Sequence, residues 1–315
     1  MDTQVITTKN DLAALFCQNQ QSVHTQTNAK YRLASFARWL ESEHHVTDLE
    51  AVTVQHVLSY KQHLASNGLQ PTSQARALET LRSFFRWCHA EGLIDHDPAA
   101  LVKSPRAVLN QEPDYLTTDE SRKLFDAINP NGKHAKRDRA MAWALAVGLR
   151  VGEVVGLNVG DVLPPADGAL GTAALAGLRV HGKRSYERII PLSQMAHAAL
   201  ADYQSERGHV AEDAPLFTCR YAGESERRMT TRAVQKWFAD LVTSAGLDTG
   251  KAHLHACRHG AAMRWLYQSN TPGGIYTVSR MLGHSSIQTT QRYLHVGPQG
   301  RAAMESAVLS DPLAA

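Results

Sequence analysis

Hydrophobic residues recur at helical spacing through the first hundred positions of the chain. They form one apolar stripe on each of three predicted helices: Leu33, Phe36, Trp39 and Leu40; Val52, Val57, Tyr60 and Leu64; and Ala77, Leu81, Phe84 and Phe85. Thr72 or Ser73 is the expected N-cap of the third helix, because hydroxyl side chains satisfy free N–H groups there. Residues 1–107 are therefore predicted to form a helical N-terminal domain.

A second unit follows a change in this pattern. Prolines at 98, 105 and 113 interrupt the periodicity, which indicates a linker over residues 108–116. From residue 117 the helical pattern returns, with Thr118 as the expected cap of "TTDESRKLFDAI". The apolar helix in "RDRAMAWALAVGLRVGEVVGL" is expected to break near Gly148 and restart.

One stretch of the second unit alternates hydrophobic and polar residues instead of following the helical pattern. Residues 174–192, "ALAGLRVHGKRSYERIIPL", have period-two hydrophobicity around a polar middle, which predicts a β-hairpin. Residues 163–177, "LPPADGALGTAALAG", are expected to form an extended loop before it. The predicted fold class is mainly α with a small antiparallel β-sheet (α+β) in a second domain over residues 117–315.

Composition narrows the class of protein. A hydrophobic fraction of 43% and a charged fraction of 20% are typical of a soluble globular protein. The net charge is only +3, so nucleic-acid binding would require basic residues clustered on one face. Four scattered cysteines favour reduced thiols, and no apolar run suits a signal peptide or membrane span. We expect a cytoplasmic protein with no membrane partner.

The C-terminal stretch "MLGHSSIQTTQRYLHV" raises a specific chemical question. His284 follows a glycine, and Tyr293 comes nine residues later. On one straight helix these two side chains would face opposite sides. They converge only if His284 precedes the helix and the chain bends before Tyr293, which would make the tyrosine a candidate nucleophile.

Cationic partners for such a tyrosine occur in three other places. Arg150 lies in the apolar stretch "GLRVGEVVGL", where an ion pair with Glu153 is an equally good explanation. His255 and Arg258 share one helix face at i, i+3. Lys183 falls at the hairpin tip, where a lysine is usually just solvated.

A zinc site is a competing explanation for the histidines near Arg258. His253, His255, Cys257 and His259 crowd together, but side chains two apart face different sides of a helix. No second cysteine pair completes a structural site, so we expect no metal.

Together these residue types suit phosphodiester transfer. Two guanidinium groups match the oxygens of a phosphate and stabilise charge in its transition state. A lysine or histidine can protonate a leaving oxygen, and a tyrosine hydroxyl beside cations can act as nucleophile. The combination predicts a metal-free site that forms a phosphotyrosine.

These motifs resemble those of the tyrosine recombinases of the phage integrase family, most of all the Xer-like branch. The resemblance rests on "GLRVGEVVGLNVGDV", "GKRSYERIIPL", "HLHACRHG" and "LGHSSIQTTQRYLHV", which occur in the family's order. The hairpin departs from the family pattern by having Arg184 after the lysine. The catalytic residues that the resemblance implies are Arg150, Lys183, His255, Arg258, His284 and the nucleophile Tyr293.

The resemblance also implies partners and an architecture. The two domains would form a C-shaped clamp around double-stranded DNA that carries paired recombination sites. Candidate DNA-binding residues are Arg76, Arg82, Arg228, Arg232 and Lys236. Family members act as tetramers, of one recombinase or of two related ones, and "RAAMESAVL" resembles the segment that docks on a neighbour.

The implied reaction is site-specific strand exchange without ATP, metal or other cofactor. Tyr293 would attack the scissile phosphate, with Lys183 as general acid and His255 assisting the tyrosine proton. Two alternatives remain open: a type IB topoisomerase, which uses a similar residue set, and a DNA-binding regulator without catalysis. The DNA target and the biological role, dimer resolution or movement of a mobile element, cannot be read from these residues.

Overall fold

The computed structural model describes residues 9–18, 23–105, 113–166, 175–182, 187–219, 226–268, 274–284, 286–291 and 293 of the 315-residue chain. The chain divides into two compact units, Met1–Gln111 and Glu112–Ala315. The division falls inside the segment 108–116 that the sequence predicts as a linker. Each unit has a hydrophobic core of its own.

The first unit is helical, as its periodicity predicts. Its helices are α1 (Lys9–Gln18), α2 (Val23–His44), α3 (Val54–Ser66) and α4 (Pro71–Ala90). The predicted apolar stripes face its core, where the rings of Phe36 and Tyr60 meet edge to face at 4.9 Å. The expected cap at Thr72 or Ser73 is wrong, since Gln70 is the N-cap of α4 and the helix begins at Pro71. Proline suits this first position because its missing N–H would have no helical partner there.

The second unit contains the remaining described elements. Its helices are α5 (Thr118–Asp126), α6 (Ala135–Ala146), α7 (Val151–Gly156), α8 (Gln194–Arg207), α9 (Thr231–Ser244), α10 (Leu254–Gln268), α11 (Gly274–Leu282) and α12 (Gln288–Gln291). Its strands are β1 (Val162–Ala166), β2 (Leu175–His181), β3 (Glu187–Leu192), β4 (Thr218–Cys219) and β5 (Arg227–Arg228). This confirms the predicted class, mainly α with a small antiparallel sheet.

The three-stranded sheet confirms the hairpin and corrects the loop beside it. Strands β2 and β3 pair antiparallel, and β3 alternates exposed and buried residues along its length. The expected loop instead begins with β1, which pairs with β2 at the edge of the sheet. Pro164 and Pro165 are compatible with β1 because a proline is tolerated on an edge strand and at irregular pairing, which occurs between Leu163 and Ala166.

A sharp turn after α6 carries the chain towards α10 and α11. Gly148 has φ +81°, and a Cβ there would lie 3.0 Å from the side chain of Leu282 and 3.3 Å from that of Ala261. Only glycine combines this backbone conformation with so close an approach. The turn confirms the break predicted near Gly148 and delivers Arg150 to the start of α7.

The start of α5 differs by one residue from the sequence prediction. Thr117, not Thr118, is the N-cap, and its hydroxyl accepts from the backbone N–H of Glu120. The Glu120 carboxylate in turn accepts from the N–H of Thr117 at 2.8 Å. This reciprocal pair is a capping box, which favours the register that places glutamate at the third position.

Among the helices that the structure describes, none is long and apolar enough to cross a membrane.

Candidate active site

A glutamate at the start of α7 organises a cluster of arginines. Glu153 Oε2 accepts from the backbone N–H of Arg150 at 2.8 Å, and Oε1 accepts from Arg150 Nη1 at 2.9 Å. The ion pair considered in the sequence is therefore present. It leaves the Arg150 side chain 42% exposed, so the guanidinium can still reach a ligand.

Arg188 on β3 joins the same cluster, although it is not among the site residues predicted from the sequence. Its Nη2 donates to Glu153 Oε2 at 2.9 Å and its Nε donates to the Met281 carbonyl at 2.7 Å, with the side chain only 5% exposed. Gly283 has φ +66°, and a Cβ there would come within 3.0 Å of the Arg188 guanidinium. The signal in the sequence was an arginine at a buried position of an alternating strand.

Arg258 is the buried arginine of the site. Its Nη1 donates to the Gly148 carbonyl at 2.6 Å, its Nη2 donates to the Leu282 carbonyl, and Nη1 lies 3.7 Å from Glu153 Oε2. Burial, and next the charge of Arg150, lower the pKa of Arg258 to about 10. The guanidinium is therefore still protonated at neutral pH, which preserves its positive charge for an anion.

His284 lies between α11 and α12, close to these arginines. Its Nδ1 is 2.8 Å from the hydroxyl of Thr290, which is fully buried. Burial, followed by the charges of Arg258 and Arg150, lowers the pKa of His284 to about 4. His284 is therefore neutral at physiological pH, and its Nε2 carries the proton whenever Nδ1 accepts from Thr290.

Tyr293 follows α12, so both conditions for its convergence with His284 are met. Helix α12 has only four residues, with His284 before it and Tyr293 after it. Tyr293 is 1% exposed and packs in a small cluster that includes Val278 and Leu282. The Leu282 carbonyl accepts from Arg258 Nη2, so this cluster adjoins the arginines.

One side chain in contact with the phenol is a histidine that is not among the site residues predicted from the sequence. His259 Nδ1 lies 2.5 Å from Tyr293 Oη, and the two ring centroids are 5.5 Å apart. The sequence offered a signal, since His259 directly follows Arg258 in "HLHACRHG". From the sequence alone, His259 is a candidate only for a metal ligand.

His255, expected to assist the tyrosine, lies one turn earlier on α10. It is exposed, and its ring centroid is 6.3 Å from that of His259. Partial desolvation, followed by the neighbouring His253 and Arg258, lowers the pKa of His255, so its neutral form predominates at physiological pH. The described residues contain no group of three or more His, Cys, Asp or Glu side chains that could hold a metal ion.

Lys183 and the C-terminal segment "RAAMESAVL" lie outside the described residues. The strands on either side of Lys183 are held by His181, whose ring lies 3.0 Å from Asp161 and 2.9 Å from Glu187. The catalytic role of Lys183 therefore stays a prediction.

The five candidate DNA-binding residues separate into two groups. Arg228 Nη1 donates to the carbonyls of Val155 and Leu157 at 2.7 and 3.0 Å, and its Nη2 donates to Asn158. Arg82 contacts Ser104 and pairs with Glu79. Both guanidinium groups thus have structural partners, which argues against a primary role in DNA binding.

The other three candidates are exposed. They are Arg76 on α4, and Arg232 and Lys236 on α9. Lys236 pairs with Asp240 at 3.0 Å on the helix surface, a contact that contributes little to stability and is easily exchanged.

The sequence profile of the phage integrase family matches residues 114–299, more than half of the chain and all the described site. The chain belongs to the phage integrase family. The profile of the phage integrase N-terminal SAM-like domain matches residues 12–92, which covers α2 to α4 of the first unit.

Relatives of this integrase-family chain align along most of its length. It is 32% identical over 297 residues to "Tyrosine recombinase XerC" of Serratia marcescens, with 94% of this chain and 92% of the relative covered. It is 29% identical over 293 residues to "Tyrosine recombinase XerD" of Yersinia pestis, with 91% and 92% covered.

A solved structure shares the fold. A crystal structure of the XerH site-specific recombinase, bound to palindromic difH substrate in a post-cleavage complex, matches with a TM-score of 0.72 at 17% identity. The match covers 94% of this chain and 83% of that one.

Proposed function

We propose that the protein is a site-specific DNA recombinase that cleaves and rejoins strands through a 3′-phosphotyrosyl intermediate. The observation that carries this proposal is the convergence of Tyr293, Arg258 and Arg150 around the end of α11. Tyr293 packs in a cluster with Leu282, whose carbonyl accepts from Arg258, and Arg150 Nη2 donates to the Gly283 carbonyl next to His284. The relatives named as tyrosine recombinases and the recombinase fold support it.

In the proposed reaction, two arginines hold the scissile phosphate. Arg258 is fixed by the carbonyls of Gly148 and Leu282, and Arg150 by Glu153, so both guanidinium groups are oriented before DNA binds. They bind the non-bridging oxygens and stabilise the charge of the pentacoordinate transition state. His284, neutral and held by Thr290, donates from Nε2 to one of these oxygens.

The chemical step is an exchange of phosphate esters. Tyr293 Oη bonds to phosphorus as the bond to the 5′-oxygen breaks, and Lys183 protonates that oxygen. His255, exposed beside the cluster, contributes a further contact to the phosphate. The 5′-hydroxyl of a partner strand reverses the step, and because the covalent link retains the ester energy, neither ATP nor a metal is needed.

The proposed assembly is a tetramer on two paired DNA sites, formed by this chain alone or with a related recombinase. The exposed Arg76, Arg232 and Lys236 contact DNA phosphates. Such a protein works in the cytoplasm, on the nucleoid. Dimer resolution and movement of a mobile element both fit this chemistry.

Covalent capture tests the proposal. Full-length protein and its Tyr293→Phe variant are incubated with a library of nicked genomic duplexes without magnesium, then denatured in detergent. Adducts at 3′ ends with the wild type alone are expected, and sequencing them identifies the site. Relaxation of supercoils by single protomers, without paired sites, would instead indicate a type IB topoisomerase. Salt-sensitive DNA binding without any adduct would indicate a regulator.

A further inference from the structure

We infer that His259 is a catalytic residue that accepts the phenolic proton of Tyr293 during strand cleavage. The inference rests on the proposed function, since it assigns one step of that reaction. It departs from the expectation drawn from the sequence, which gave this task to His255.

The contact between His259 and Tyr293 has the geometry of a proton transfer. Nδ1 lies 2.5 Å from the phenol oxygen, at the short end of hydrogen-bond distances. With its proton on Nε2, neutral His259 presents the Nδ1 lone pair to the phenolic O–H. A phenol has a reference pKa near 10 and needs a base to become a good nucleophile at neutral pH.

Bulk water has little access to the phenol. Tyr293 is 1% exposed and packs among Ala262, Met263, Val278 and Leu282. Direct transfer to solvent is therefore disfavoured, and a neighbouring protein group is the better acceptor. His259 is within reach of the phenol oxygen without any movement of either ring.

The fold holds His259 in place through its neighbours on α10. Arg258, the preceding residue, is bound to the carbonyls of Gly148 and Leu282. A Cβ on Gly260, the following residue, would lie only 2.4 Å from the Leu116 carbonyl oxygen. The Leu116 N–H also donates to the Ala256 carbonyl at 3.1 Å. Helix α10 is therefore in close contact on both sides of His259, which fixes the backbone from which the imidazole projects.

This arrangement assigns different tasks to two consecutive side chains. Arg258 faces the carbonyls beside Arg150 and binds the phosphate, whereas His259 faces the nucleophile. His255 has an exposed side chain one turn earlier, with its ring 6.3 Å from the His259 ring. Its position suits a contact with DNA better than one with the buried phenol.

Cleavage exchanges one phosphate ester bond for another. Tyr293 Oη forms a bond to phosphorus, and its proton passes to His259 Nδ1, which becomes an imidazolium. The bond between phosphorus and the 5′-oxygen breaks, and that oxygen takes a proton from the general acid. In the reverse step His259 returns its proton to Tyr293 as the phosphotyrosine bond breaks.

The test combines His259→Asn with a more acidic phenol. The substrate is the nicked duplex recovered by covalent capture with the wild type, and the readout is the single-turnover rate of adduct formation by the full chain. We expect His259→Asn to lower this rate by about 10²- to 10⁴-fold, the usual size of general base catalysis, with unchanged DNA affinity. Difluorotyrosine at position 293 ionises more readily, so it should recover at least about tenfold of the loss.

Matched controls separate the role of a base from a structural role. The His255→Asn variant should not be rescued by difluorotyrosine. A His259→Asn defect that difluorotyrosine leaves unchanged would overturn the inference and make His259 a packing residue. Wild-type adduct formation together with an unimpaired His259→Asn variant would overturn it too. Absence of adduct with the wild type would instead refute the proposed function.

A second measurement needs no substitution at His259, in case the variant does not fold. In the otherwise unchanged chain, fluorinated tyrosines of increasing acidity replace Tyr293. A general base removes the need for prior ionisation, so the rate should change less than about threefold across the series. A rate that rises in proportion to phenol acidity would show that the phenol ionises without an acceptor and would overturn the inference.

Discussion

Arg188→Met isolates the support that the buried arginine gives to the site. Arg188 and Glu153 have side chains only 5% and 9% exposed. The substitution removes the cationic donor to Glu153 Oε2, which keeps the Arg150 N–H, and it removes the donor to the Met281 carbonyl. Removing one partner of a buried ion pair costs about 3–5 kcal/mol. For a unit of this size that corresponds to a fall of about 6–20 °C in Tm.

The same substitution should slow catalysis more than it weakens DNA binding. Burial alone would raise the pKa of Glu153, but the hydrogen bonds from the Arg188 side chain and the Arg150 backbone outweigh it and lower that pKa. Without Arg188, the negative charge of the Glu153 carboxylate should draw Arg150 and Arg258 away from the phosphate. We expect the single-turnover rate of adduct formation to fall about 10- to 100-fold, since one to a few kcal/mol of transition-state stabilisation is at stake.

The assay pairs calorimetry of the full chain with adduct formation on the captured duplex. Arg188→Lys is the matched control, because it keeps the charge but cannot form the forked contacts to Met281 and Glu153. The double variant Arg188→Met with Glu153→Gln should regain part of the lost stability, since the buried carboxylate that lost one of its cationic partners is gone. An Arg188→Met variant with wild-type Tm and rate would refute the reasoning.

Three further results are expected. Thr290→Val removes the hydroxyl beside His284 Nδ1, so the imidazole loses its fixed tautomer, and adduct formation should fall about tenfold with little change in DNA affinity; an unchanged rate would rule out this role. Because the folded-state pKa of His284 is lowered to about 4 from 6.5, its contribution to stability is present above pH 6.5 and is lost as the pH falls towards 4. Urea unfolding between pH 7 and 4 should therefore show a weaker acid destabilisation in His284→Gln, and an identical pH dependence would contradict the assignment. In filter-binding titrations, Arg232→Ala and Lys236→Ala should each reduce the salt dependence of DNA binding by about one ion. Arg228→Ala should instead lower Tm without changing the salt dependence, because its guanidinium binds carbonyls of the protein. The reverse pattern would show that Arg228 contacts DNA and that Arg232 and Lys236 do not.

The fold follows closely from local patterns in the chain. Apolar stripes such as that of Phe36, Trp39 and Leu40 on α2, the break at Gly148 and the alternation in β3 each have a local physical cause, so they can be predicted from the sequence. The edge strand β1 was not predicted because Pro164 and Pro165 argue against a strand, unless that strand lies at the edge of a sheet, which only the pairing with β2 shows.

In the candidate site, too, some residues can be placed from local spacing and others only from the folded structure. The spacing of His284 and Tyr293 shows that they can meet only if His284 precedes the helix and the chain bends before Tyr293. The four-residue helix α12 meets both conditions. His259 and Arg188 could not be placed from sequence, because their partners Tyr293 and Met281 lie 34 and 93 residues away along the chain. A buried arginine on an alternating strand signals a partner, but only the packed structure identifies it.

The most direct test of the central claim is the identity of the residue that becomes attached to DNA. The wild-type adduct on the captured duplex would be digested with protease and nuclease, and the remaining nucleotide-peptide mapped by tandem mass spectrometry. The account predicts a phosphodiester between Tyr293 and the 3′ end of the cleaved strand, absent from Tyr293→Phe. A link to another residue, or to a 5′ end, would contradict it.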